Sequence, residues 1–303
     1  MFLRARRAST DPQVRSLLQK AVRRGYSQIV KLASTRLDAN GDRTWLRSRT
    51  IVITFEECWP LAAPLSVDRD LTSKQNALLK VTNSAKQKDA ASLGALAYAY
   101  HEGDHSMLGC VPEPHDIRII SEALNRPAAF FVWVFGESNS QWTRQVIRSA
   151  ERYLAAATWQ WDKACILAGA FLATKDSVST FETSGVQTKE FPYWVALDKH
   201  TPVGKVALRE VSEELNSSYR KLIWASFYFE SALVNQLLPS PWWEAEKTWR
   251  LRRAGLSVEA AEELWSSARP LVRRRLEAEA MRLKHLVEAG SSREIFPVQT
   301  SLV

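Results

Sequence analysis

His101, Glu102 and His105 stand in the order H-E-x-x-H, which on a single helix puts two imidazoles on one face as zinc ligands and the glutamate beside a metal-bound water. That chemistry needs an unbroken helix through both histidines. Gly103 and Asp104 between them are turn-forming, and an aspartate beside a ligand departs from the uncharged positions usual in zinc proteases. The spacing therefore predicts a solvated loop after a helix that ends near Tyr100. With Cys110 and His115 the segment holds four potential tetrahedral ligands, His101, His105, Cys110 and His115. A zinc-dependent hydrolase or a zinc-stabilised protein is accordingly the alternative reading; the main reading uses no cofactor.

Other reactive constellations are weaker. Gly204-Lys205 lacks the earlier glycine and the following Ser or Thr of a phosphate-cradling loop, and no Gly-x-Ser-x-Gly elbow occurs. Cys58, Cys110 and Cys165 form no CxxC pair and no disulfide framework, which suits a reducing compartment. Glu56-Glu57 reads as a solvated helix-terminal pair or as partners for Arg47 or Arg49. No reaction is defined, and the expectation leans away from an enzyme.

Charge is more informative. The chain carries +8 formally, yet the first fifty residues alone hold twelve Arg and Lys against Asp11, Asp38 and Asp42, leaving the remainder near neutral. Segregated positive charge is the footprint of a surface that meets a polyanion. The candidate nucleic-acid contacts are Arg15, Lys20, Arg23, Arg24, Arg43, Arg47 and Arg49. A second basic stretch, Lys247 to Lys284, has ten Arg and Lys against five Glu, with Trp242, Trp243 and Trp249 before or within it. Arg250, Arg252, Arg253, Arg273, Arg274 and Arg275 are its candidates, since guanidinium beside indole suits phosphate contact and base stacking. The twelve tryptophans are otherwise read as packing between helices. Tyr193, Trp194, Asp198 and His200, on a segment bounded by Pro192 and Pro202, read as a docking surface.

The elements that must position these residues read as helices. Val14, Leu17, Leu18, Ala21 and Val22 recur at helical spacing after Pro12 and stop at Gly25; Ile29 to Leu37 repeats the pattern before Asn40-Gly41. The run Ile51 to Phe55 is β-prone, but no alternating partner lies nearby, so it is read as helix. Gln141 to Leu172 reads as one long helix or two joined, and Val206 to Leu238 as helical up to Pro239. The expectation is all-α, an irregular multi-helix bundle of about ten helices. Residues 1–173 would form an N-terminal helical domain with a basic face, 174–190 a loop or seam, and 191–303 a Trp-rich region ending in basic helices. No apolar run approaches the roughly 20 residues of a membrane span. A cytoplasmic or nucleoid-associated place is expected, with organelle import left open by the Arg-rich Met1–Thr10.

At Leu17 to Gly25 (LLQKAVRRG) and Trp45 to Glu57 (WLRSRTIVITFEE) the chain resembles the C-terminal helical domain of replication-associated recombination ATPases, relatives of bacterial clamp loaders. The likeness covers about residues 11–100 and does not include an ATPase module. It implies a helical role in oligomerisation or assembly at DNA, without motor activity. Charge and resemblance together predict a non-enzymatic nucleic-acid-binding subunit or adaptor in a replication, recombination or genome-maintenance assembly, with a protein partner or oligomer. An adaptor that docks an acidic protein fits the same charge map.

Overall fold

The computed structural model describes residues 12–63, 65, 70–175, 183–188 and 190–291; the basic arm Met1–Thr10 lies outside them. The described residues form thirteen α-helices and no strand: α1 (Pro12–Arg23), α2 (Ser27–Ala39), α3 (Arg43–Cys58), α4 (Leu71–Thr82), α5 (Asp89–His101), α6 (Pro114–Asn125), α7 (Pro127–Gly136), α8 (Gln141–Leu154), α9 (Gln160–Lys175), α10 (Pro202–Glu214), α11 (Tyr219–Ser226), α12 (Pro241–Arg253) and α13 (Val258–Ser291). The fold is all-α, with slightly more helices than the sequence predicts. Prolines begin α6, α7, α10 and α12, where the missing N–H costs nothing. Hydroxyl and carboxylate caps start others: Asp70 accepts from the Ser73 N–H, Ser140 from Thr143, Thr201 from Gly204 and Ser240 from Trp243.

Of two long apolar stretches, one resolves an open alternative and the other divides more finely than its spacing suggests. Gln141 to Leu172 is two helices, α8 and α9, parted at 155–159. Val206 to Leu238 breaks at Asn216, whose φ of 47° is left-handed, and α11 then loosens into a π turn, Phe227–Ser231.

Two hydrophobic cores share α3. Leu46 and Ile53 face the first, with α1, α2, α4, α10, α11, α13 and residues 191–197; Ile51, Val52 and Phe55 face the second, with α5 to α9. An apolar helix buried on both sides explains why the β-prone run stays helical: packing overrides propensity. Its threonines are satisfied internally, Thr50 Oγ1 donating to the Leu46 carbonyl and Thr54 Oγ1 to that of Thr50. Of the seam read at 174–190, residues 176–182 and 189 lie outside the described residues; the first core includes helices from both ends of the chain. Trp243 of α12 belongs to the first core and Trp242 and Trp249 to the second.

Candidate functional site

The histidine motif does not form a helical metal face. Helix α5 ends at His101, and Gly103 turns the chain with φ of +87°. His105 stacks on Tyr100 at 4.5 Å, Asp104 pairs with Arg253 at 2.9 Å, and the Cys110 thiol donates to the Met107 carbonyl. Among the described residues no three His, Cys, Asp or Glu side chains gather as a metal site. Cys58 and Cys165 are buried, and burial pushes both thiols up, Cys58 to about 12. Neither is an activated nucleophile.

The cationic candidates are placed differently from a bare basic face. Arg15 donates twice to Asp42, Arg24 reaches Glu230 at 2.7 Å, and Arg43 reaches Asp38 at 3.2 Å. Arg23 binds Glu57 at 2.8 Å, and Arg49 binds both Glu56 and Asp162. In the second group Arg250 pairs with Glu246, Arg253 with Asp104, Arg273 with Glu277, and Arg274 and Arg275 with Glu214. Arg47 and Arg252 are exposed on α3 and α12. The N-terminal cations are therefore largely turned inward onto carboxylates from distant parts of the chain. The Glu56-Glu57 pair is corrected accordingly: Glu56 does meet Arg49, but Glu57 is buried between Arg23 and Lys88, the latter at 3.0 Å.

The docking segment also divides. Tyr193 and Trp194 are buried, which corrects their reading as a contact surface. The Tyr193 hydroxyl donates to Glu230 at 2.5 Å, and Trp194 lies beneath Arg24 and against the edge of Tyr26. Both serve the first core. Asp198 and His200 instead line a cleft of about 820 Å³, within the range of small-molecule sites.

That cleft is built from segments far apart in sequence: α1, α3, the junction 159–162, the turn 198–201, α11 with its π turn, and α12. Its walls carry Trp45, Trp159, Trp161, Trp224 and Phe227, and among these cations and anions, Arg15, Lys20, Arg23, Arg49, Lys199 and Arg250 outnumber Glu56, Asp162, Asp198 and Glu246. Trp159 is 71% exposed and marks the rim. Deeper in, the Arg250 guanidinium lies 4.7 Å from the Trp161 ring and 4.9 Å from that of Trp224, while Lys199 Nζ is 3.7 Å from Trp224 and 4.2 Å from Phe227.

One polar group there is unsatisfied, and a second is held only by aromatic rings. Arg250 Nε donates to Glu246 at 2.6 Å, but its Nη2 is buried with no hydrogen-bond partner. Lys199 has no ion pair among the described residues; burial, together with the neighbouring Arg250 charge, pushes its ammonium down to about 7. Lys20, buried with its Nζ on the Val195 carbonyl, is lowered to about 8 by burial against the opposing pull of Asp198. Arg250 and Lys199 share the Trp224 indole, and with Lys20 and Arg23 close by they outnumber the neighbouring carboxylates, Glu246 and Asp198, which leaves a local excess of positive charge. An anion presented to this point would satisfy the free guanidinium N–H.

No known protein family, no curated protein and no solved structure matches the chain. The charge and motif analysis identified Arg15, Lys20, Arg23, Arg49, Arg250, Asp198 and His200, which the fold brings into the cleft. It missed Lys199, Asp162, Glu246 and the role of Trp159, Trp161 and Trp224. The one usable signal was Trp159-Gln-Trp161, two indoles flanking the junction between α8 and α9.

Proposed function

We propose that the protein binds nucleic acid non-enzymatically, through the cleft rather than through an extended basic face, taking one or two nucleotide units of a single strand. The unpartnered Arg250 Nη2 beside Lys199, at the base of a wall of tryptophans, carries the reading. A guanidinium with a free N–H takes a phosphate oxygen, and an exposed indole at the rim takes a base on its face. We include in this a role within an assembly at DNA, which is the expectation drawn from the sequence of residues 11–100.

Because most of the candidate arginines are already paired, few counterions are released on binding. Contact with about two phosphates gives a slope of log K against log salt near −1.4 for a single strand, far shallower than a face with all seven N-terminal cations free would give. Titration of the tryptophan fluorescence with a short oligothymidylate at several salt concentrations measures this slope. Trp159→Ala removes a stacking platform and is expected to weaken binding by about tenfold, within the roughly 1–3 kcal/mol of a base–aromatic contact. Unchanged affinity in this variant, or no binding at low salt, would remove the reading.

A further inference from the structure

We propose that Lys199 is a carbonyl-capturing nucleophile, whose side-chain amine condenses with the C1 aldehyde of a sugar phosphate seated in the cleft while Arg250 holds the phosphate. The ligand class rests on the nucleotide reading above, because the same tryptophans and guanidinium would seat it. The aldehyde could come from a free aldose phosphate or from an abasic position in a strand; the chemistry is shared.

The geometry presents this amine and leaves it uncommitted. Lys199 sits in a turn pinned on both sides: the Asp198 carboxylate accepts from the His200 N–H at 2.7 Å and from the Ser16 hydroxyl, and the Asp198 carbonyl accepts from the Thr201 N–H. Its Nζ points over Trp224 and Phe227 and engages no carboxylate among the described residues. The charged groups around it are Arg250 and Glu246 from α12, Arg23 and Lys20 from α1, and Asp198 and His200 from its own turn. Helix α11 and its π turn offer only Trp224 and Phe227 at this point.

In the step itself, the lone pair of the neutral amine attacks C1 and the C=O π pair moves onto oxygen. A proton passes from nitrogen to that oxygen, giving a carbinolamine. The hydroxyl then leaves with a further proton as water, and a C=N bond remains, so amine plus aldehyde give imine plus water with no external oxidant or reductant. The attacking species must be unprotonated. Burial and Arg250 hold Lys199 at about 7, so near neutral pH about a thousandfold more of it is neutral than of an ordinary lysine.

The test incubates the full chain with ribose 5-phosphate, and separately with a single-stranded oligonucleotide bearing one abasic position, each with cyanoborohydride to reduce the imine. Peptide mapping by mass spectrometry locates the adduct. The expected result is labelling of Lys199 at least about tenfold above Lys205, rising with pH around a midpoint near 7 and lost in Lys199→Arg. The arm that labels identifies the source. Adducts scattered over surface lysines, with a midpoint near the ordinary lysine value, overturn the proposal, and the map of the unaltered chain decides this even if the variant fails to fold. If an intact oligonucleotide binds while neither carbonyl probe labels Lys199, this inference alone falls. Labelling by ribose 5-phosphate without any binding of an intact strand keeps it and removes the nucleic-acid reading.

Discussion

Glu57→Leu is expected to lower folding stability at neutral pH by about 3–5 kcal/mol, the usual cost of removing one partner from a buried ion pair. Glu57 is 1% exposed at the C-terminal end of α3, within 2.8 Å of the Arg23 Nε and 3.0 Å of the Lys88 Nζ. Leucine fills much of the volume but takes the carboxylate from the buried Lys88 ammonium and the nearest one from the buried Arg23 guanidinium, which keeps only Glu56 at 3.7 Å and the Ser231 carbonyl. Both would then have to be hydrated or neutralised inside the first core. Burial by itself disfavours the Glu57 carboxylate; the Arg23 and Lys88 charges and their hydrogen bonds overcome that and hold it at about 2, below its ordinary 4.5. A depressed carboxylate contributes stability that is complete above 4.5 and is lost as pH falls through about 2. Urea denaturation should therefore show a wide gap between the parent and Glu57→Leu at pH 7 that narrows at pH 2 to 3. Equal midpoints at pH 7 would mean that the charges are solvated rather than buried.

Gly94→Val should be comparably damaging for a different reason. A Cβ built on Gly94 would lie 2.6 Å from the Cys165 backbone nitrogen and 2.7 Å from its Cα, so α5 and α9 touch backbone to backbone at this point. No rotamer change relieves a clash with main chain. The two helices must separate and open the second core along Leu93, Ala97 and Ile166, with an expected loss of about 3 kcal/mol or more. Gly94→Ala is expected to lose less, and a urea midpoint within error of the parent for the valine variant would show that the helices can part freely.

The fold was readable because its signals are local. Pro12 and apolar residues at three- and four-residue spacing place α1 and α2 within a few positions, Tyr100 marks the end of α5 within one, and Thr201 with Pro202 starts α10. Even the Ile51 to Phe55 run is decided by what its flanks lack, an alternating partner strand. The break at 155–159 is the second of the two alternatives the spacing left open, whereas the break at Asn216 was hidden: helical spacing continues across it, and one left-handed residue interrupts it.

The cleft was legible in part. A basic block can be counted in the sequence, but whether a guanidinium faces solvent or a carboxylate depends on residues such as Glu230 and Asp162, more than one hundred positions from their partners Arg24 and Arg49. Charge counting therefore overstated the free cationic surface. Lys199 escaped notice because nothing in Asp198-Lys-His200 announces an indole 3.7 Å from its amine. Tyr193 and Trp194 looked available for docking because their prolines suggested a surface segment, yet a short turn packs them beneath α1 and α13.

The contrast between two substitutions tests the central claim most directly. Arg250→Lys keeps the charge beside Glu246 but removes the second N–H arm of the fork in the cleft; the triple change of Arg273, Arg274 and Arg275 to Gln removes three cations from α13, outside it. Affinity for a short single-stranded oligonucleotide, measured at one fixed salt concentration, is expected to fall about tenfold in the first and to stay within about twofold in the second, as loss of a charge-assisted hydrogen bond predicts. The reverse order, a large loss from α13 and none from Arg250, would contradict the account and return the binding surface to the outer basic helix.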